Sequence, residues 1–220
     1  GLLGFRSLSA KCDYDLVIVS RRSVAKAWLP LLRTVCPEAP LVVDTVDLHF
    51  LREIRELALG KGFAYDTALS AAENARHLLY EHPSLGTTKA WRAYEEGYAT
   101  ELRVMNASDA TIVVSGAERR ELEALKRQGA LRSDLPVAVI SNIHDIVNKR
   151  QEQAAFSQRK GALFVGNWQH PPNVDAVKFL LEEVLVRDEL QALPDDFVVH
   201  IAGAGTQPAW LASTTKAGRF

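Results

Sequence analysis

Four short apolar runs, each bounded by turn formers, constrain this chain more than any other feature. They are Asp15–Ser20 (DLVIVS), Pro40–Asp44 (PLVVD), Asp109–Val114 (DATIVV) and Pro136–Ile140 (PVAVI). Short β-branched runs without polar alternation read as strands covered on both faces. Between the first two lies Ala25–Val35, made largely of helix formers and stopped by Cys36-Pro37, because the residue before a proline is pushed out of helical backbone. Strand, helix and strand within about thirty residues form a βαβ unit with parallel strands.

The same alternation continues. Leu48–Leu59 has helical spacing and is ended by Gly60 and Gly62. A long Ala- and Glu-rich stretch follows, Thr67–Tyr80 and then Thr87–Val104, broken at His82-Pro83 and carrying Trp91, Tyr94 and Tyr98. Gly116–Arg127 reads as a third surface helix. His144–Lys160 is polar, mixed in charge and without a period, as a linker is. The α/β pattern then restarts with Ala162–Val165 as strand, Val174–Val186 as helix and Phe197–Ala202 as strand, while Thr206–Phe220 reads as frayed. The expected fold class is therefore α/β, with two Rossmann-like, doubly wound domains, both incomplete in this chain. Residues 1–145 form the first, with a helical insertion at about 63–105; 146–160 is the linker and 161–220 opens the second. A chain that starts at Gly1 and stops soon after a strand is expected to be a piece of a longer protein.

Composition narrows the function classes. Lys and Arg number 26 against 27 Asp and Glu, a net charge of -1, which offers no footprint for a nucleic-acid backbone. With 47% hydrophobic and 24% charged residues, wholesale disorder is excluded. No apolar run approaches the roughly 20 residues that span a bilayer, which leaves only peripheral membrane contact open. Two cysteines, Cys12 and Cys36, give no disulfide framework and are expected as buried thiols in a reducing, cytoplasmic setting.

Parallel α/β sheets bind ligands at the C-terminal ends of their strands, so the residues after each strand are the candidates. After the second strand stand Asp44, Asp47, His49 and Arg52. A carboxylate beside an imidazole orients it or acts as a base, and an arginine clamps an anion. A structural role competes: Asp44 or Asp47 caps the next helix, and Arg52 pairs with Glu56 on its surface. After the third strand, Ser115 suits an N-cap, with Glu118 completing a capping box. It lacks the elbow of a nucleophilic serine. After the fourth strand, Asn142 and Asp145 favour a turn; His144 between them is a functional candidate, against the commoner role of a solvent-facing histidine. Gly166, Asn167 and His170 follow the first strand after the linker, and a helix starting near Asn173 presents its N-terminus to phosphate. Gly203-Ala204-Gly205 opens like a dinucleotide loop, but Pro208 stands where the third glycine belongs. The histidines at 49, 77, 82, 144, 170 and 200 show no metal-ligand spacing, so no metal and no cofactor are expected.

Taken in order, five segments resemble glycosyltransferase family 4, the retaining group 1 glycosyl transferases of GT-B fold. They are Leu41–Glu53 (LVVDTVDLHFLRE), Ser108–Glu121 (SDATIVVSGAERRE), Val139–Asp145 (VISNIHD), Leu163–Val184 (LFVGNWQHPPNVDAVKFLLEEV) and Val198–Gly205 (VVHIAGAG). The resemblance implies transfer of a sugar from a nucleotide-sugar donor to a glycan or small-molecule acceptor, with retention of configuration. It implies an N-terminal acceptor domain and a C-terminal donor domain. On this resemblance Asp47, His49 and Arg52 line the acceptor side, and Gly166, Asn167, His170, Gly203 and Gly205 lie near the donor diphosphate. Ser115, Asn142 and Asp145 face the cleft. No metal is implied, since helix dipoles and basic groups neutralise the leaving group.

The chain departs from the family pattern at several points. The glycine loop reads Asn167-Trp168-Gln169-His170, with no basic pair. Val46-Asp47 stands where a His-Asp pair is usual, with His49 two residues on. Ile143 replaces a glycine, and Tyr65–Thr88 reads as an insertion over the acceptor side. The family's E-x7-E region has no counterpart in this sequence, so turnover by this chain alone is not expected. Two alternatives stand beside this reading. One is an NAD(P)-dependent oxidoreductase or epimerase built on Gly203-Ala204-Gly205. The other is a non-catalytic interaction module that docks through Thr67–Val104.

Overall fold

The computed structural model describes residues 12–141, 156–187 and 197–214. The chain divides into two compact units, Gly1–Asp145 and Ile146–Phe220.

In the first unit the elements run β1 (Val17–Ser20), α1 (Arg22–Val35), β2 (Leu41–Asp44), α2 (His49–Leu59), α3 (Ala71–Glu81), a 3-10 turn (Pro83–Thr87), α4 (Lys89–Asn106), β3 (Ala110–Val113), α5 (Gly116–Arg127) and β4 (Val137–Val139). The strands pair in parallel in the order β1-β2-β3-β4. Val19, Val43, Thr111 and Val137 stand in one row across the sheet.

That row belongs to the buried face: Val19, Leu41, Val43, Thr111 and Val113 are all buried. The alternate residues are not. Ile18 is 54% exposed, Ala138 is exposed, and Val42, Ala110 and Ile112 are only partly covered. The described strands run in one consecutive parallel order and are covered on one face, an α/β arrangement consistent with a Rossmann-like fold. The reversal of order and the second helix layer that double winding adds are not among the described residues.

The helical segment at about 63–105 contributes to the main core, through Ala71, Ala75, Leu78, Leu85, Trp91 and Tyr94. Trp91 and Tyr94 of α4 are 4% and 6% exposed. Tyr98 meets the fully buried Phe50 edge to face at 5.2 Å, a favoured aromatic geometry. Trp91 and Tyr94 therefore serve the core, while Tyr80 of the same stretch is exposed. Ser70 opens α3 with a reciprocal capping box to Glu73.

Cys12 and Cys36 form a disulfide, with their Cα atoms 5.2 Å apart. This overturns the expectation of two free thiols, and with it the ground for a reducing compartment. Their separation in sequence gave no hint, because the fold of α1 is what returns Cys36 to the start of β1.

The second unit pairs β5 (Ala162–Val165) with β6 (Val199–Ala202) in parallel. Helix α6 (Pro171–Phe179) continues as a π turn, Leu180–Val184, and α7 (Ala209–Thr214) lies where a frayed tail was expected. Val177, Leu181 and Leu211 form the centre of its small core, with Phe164, Trp168, Ile201 and Trp210 against them. Among the described residues no helix is long and apolar enough to cross a membrane.

Candidate functional site

The C-terminal ends of β1 and β2 carry the two non-glycine residues of positive φ among the described residues: Arg21 at 76° and Val46 at 63°. For a β-branched valine this backbone costs of order 1–3 kcal/mol, so surrounding bonds must hold it. Asp44 does much of this. Its Oδ2 accepts from Ser20 Oγ at 3.0 Å, its Oδ1 from Val46 N at 3.0 Å, and its carbonyl from Arg21 N at 2.8 Å. Thr45, 2% exposed, donates both its amide and its hydroxyl to the Ile112 carbonyl. Asp44 is thus a brace between two strand ends and not a helix cap.

The turn at Val46 aims Asp47 across the start of α2. Asp47 Oδ1 stands 3.2 Å from His49 Nε2, and Asp47 Oδ2 accepts from Arg52 Nη1. The structure therefore brings Asp47, His49 and Arg52 together. Arg52 pairs with Asp47, not with Glu56, and neither aspartate caps α2, which has no side-chain cap at Leu48. Burial holds the His49 imidazole below its usual range, opposed by Asp47 and reinforced by Arg52 and Arg22. Burial thus favours the uncharged imidazole. With Nε2–H facing the carboxylate, Nδ1 keeps the lone pair and can accept a proton or a hydroxyl hydrogen.

Beneath this trio lies a group that sequence reasoning missed. Glu101 of α4 is 2% exposed and accepts from the His49 and Phe50 amides at 3.1 and 3.0 Å. Its carboxylate also stands 3.6 Å from Arg22. Arg22 in turn makes two bonds to Glu53, at 2.7 and 3.2 Å. Burial pushes the Glu101 carboxyl up to about 7, against the two amides and Arg22, which favour its charge. The α2 N-terminus is thereby satisfied by a carboxylate from another helix, through the attraction any helix N-terminus has for an anion. Gly97 makes room for the assembly: a Cβ there would lie 2.6 Å from Arg22 Nη1 and 2.8 Å from Glu53 Oε2. A single Glu in an Ala- and Glu-rich helix carries no local signal of burial; only a glycine one turn earlier hinted at a close approach.

Ser115 N-caps α5, its Oγ accepting from Glu118 N at 3.2 Å. The capping box is only half formed, because the Glu118 carboxylate turns instead to Leu48 N and Val114 N. Asn142, His144 and Asp145 lie outside the described residues, as does most of the linker.

In the second unit, Gly166, Asn167, Gly203 and Gly205 do converge at the strand ends, but on one another. A Cβ on Gly203 would lie 1.7 Å from the Gly166 carbonyl oxygen, and one on Gly166 about 3 Å from Phe164 and Asn173. Gly205 has φ +90° and faces Gln169 and Asn167. Two bonds, Gly166 N to Ala202 O and Trp168 N to Ala204 O, join the loops. These glycines are explained by close packing of protein on protein. His170 precedes α6, with its side chain exposed. The helix begins at Pro171 rather than near Asn173, and Pro171 and Pro172 occupy its first turn. Prolines bring no N–H, and Asn173 N is bonded to His170 O, so this helix end has few amides left for a phosphate.

Among the described residues no group of three or more His, Cys, Asp or Glu is placed to hold a metal ion. No family model, curated protein or solved structure matches the chain.

Proposed function

We propose that the chain belongs to a retaining glycosyltransferase of GT-B type, with the first unit serving the acceptor and the second the nucleotide-sugar donor. The observation that carries the proposal is the Asp47–His49–Arg52 trio at the C-terminal end of a parallel strand, built on the strained Val46 and on buried Glu101. In this reading Asp47 orients His49, Arg52 fixes Asp47, and the neutral His49 receives the hydrogen of an acceptor hydroxyl. Asn167 and His170 contact the donor, while Gly166, Gly203 and Gly205 shape the loop behind them. A parallel α/β architecture in both units supports the reading at the level of fold alone.

Calorimetry of the chain with UDP, GDP and ADP tests it. Binding weakened about tenfold by His170→Ala, together with weakened binding of a glycan acceptor in Asp47→Asn, is the expected result. No heat with any of the three nucleotides at millimolar concentration refutes it, and tight binding of NAD(P) replaces it with the dinucleotide reading.

A further inference from the structure

A cavity elsewhere in the first unit includes none of Asp47, His49 or Arg52. Its volume is about 790 Å³, within the range of small-molecule sites. Helices α2 and α5 and the segment before α3 line it. Four arginines stand in its wall: Arg55 from α2, and Arg119, Arg120 and Arg127 from α5. Arg120 and Arg127 are two turns apart on one helix face, with Arg119 beside them.

The charges around this cavity are not balanced. It has two acidic side chains, Glu121 and Glu123, and both are already engaged. Glu121 accepts from Ala71 N at 2.8 Å, and Glu123 pairs with Lys126 at 3.0 Å. Arg55 lies 5.2 Å over the Tyr65 ring. Among the described residues Arg119, Arg120 and Arg127 form no ion pair. Like charges gathered around one concavity repel, and proteins ordinarily intersperse them with opposite charge unless a field of one sign serves a ligand. Guanidinium groups are the side chains best shaped for phosphate, which they bind through paired N–H donors.

We propose that this cavity binds a small molecule carrying a phosphate group, with Arg120 and Arg127 as its principal ligands and Arg55 and Arg119 at its rim. The site stands on the cavity alone and holds whether or not the chain transfers sugars. Inorganic pyrophosphate is the probe. Calorimetry of the full chain at low salt is expected to give one site. Arg120→Gln with Arg127→Gln weakens it at least about tenfold, and the charge-matched Arg76→Gln with Arg103→Gln, outside the cavity, changes it less than about twofold. In the unaltered chain, pyrophosphate is expected to protect Arg120 and Arg127 from phenylglyoxal, read by peptide mass mapping. Equal weakening by both double variants, no heat from pyrophosphate, or protection of arginines outside the cavity overturns the site. Citrate binding more tightly than pyrophosphate overturns the assignment to phosphate.

Discussion

Replacing Glu101 by glutamine tests whether the buried carboxylate governs the stability of the first unit. Burial raises the Glu101 carboxyl from the ordinary 4.5 to about 7. The folded protein therefore holds this proton more tightly than the unfolded chain does. The corresponding stability is fully present below about pH 4.5, falls as pH rises, and is lost above about pH 7. A difference of about 2.5 units between 4.5 and 7 corresponds to about 3 kcal/mol. Glutamine carries no charge at any pH, so Glu101→Gln lacks this component, while groups such as Glu121 and His49 titrate in both proteins. Urea unfolding followed by circular dichroism, from about pH 4 to about pH 8, gives the difference directly. Wild type is expected to lose about 3 kcal/mol relative to Glu101→Gln across that range. A difference that stays constant within about 1 kcal/mol refutes the reasoning. Glu101→Ala behaves otherwise: it leaves the His49 and Phe50 amides without an acceptor and lowers stability at every pH, by about 3–5 kcal/mol.

Three further outcomes are expected. Reducing Cys12–Cys36, which spans 24 residues, lowers stability by about 3–4 kcal/mol in urea titrations with and without dithiothreitol. Thr111 is fully buried and its hydroxyl has no partner among the described residues, so Thr111→Val raises the unfolding free energy by about 1 kcal/mol. Gly203→Ala forces a methyl group onto the Gly166 carbonyl, so amide spectra show loss of the β5–β6 loop packing at a cost of about 3 kcal/mol or more.

The strands were legible because DLVIVS, PLVVD and DATIVV admit few other structures, and parallel pairing followed from the helices between them. Asp47, His49 and Arg52 were legible as a group because they are neighbours in sequence at one strand end. Glu101 was not, since its role is set by residues 51 and 52 positions away. Periodicity cannot distinguish a carboxylate facing water from one facing two amides. The apolar runs were read as covered on both faces, yet Ile18 is largely exposed, because a run of four residues is too short to show which face is bare. Glycines 166, 203 and 205 were legible as places of close approach, but sequence does not say whether a ligand or another loop approaches.

The carboxylates that complete the helix starts bear on how the chain is made. Leu48 donates to Glu118, 70 residues later, His49 to Glu101, 52 later, and Ala71 to Glu121, 50 later. During synthesis, therefore, α2 and α3 leave the ribosome before their acceptors exist. The earlier half of this unit cannot complete these bonds as it emerges; it must wait for α4 and α5, so the unit closes only once α5 has been made.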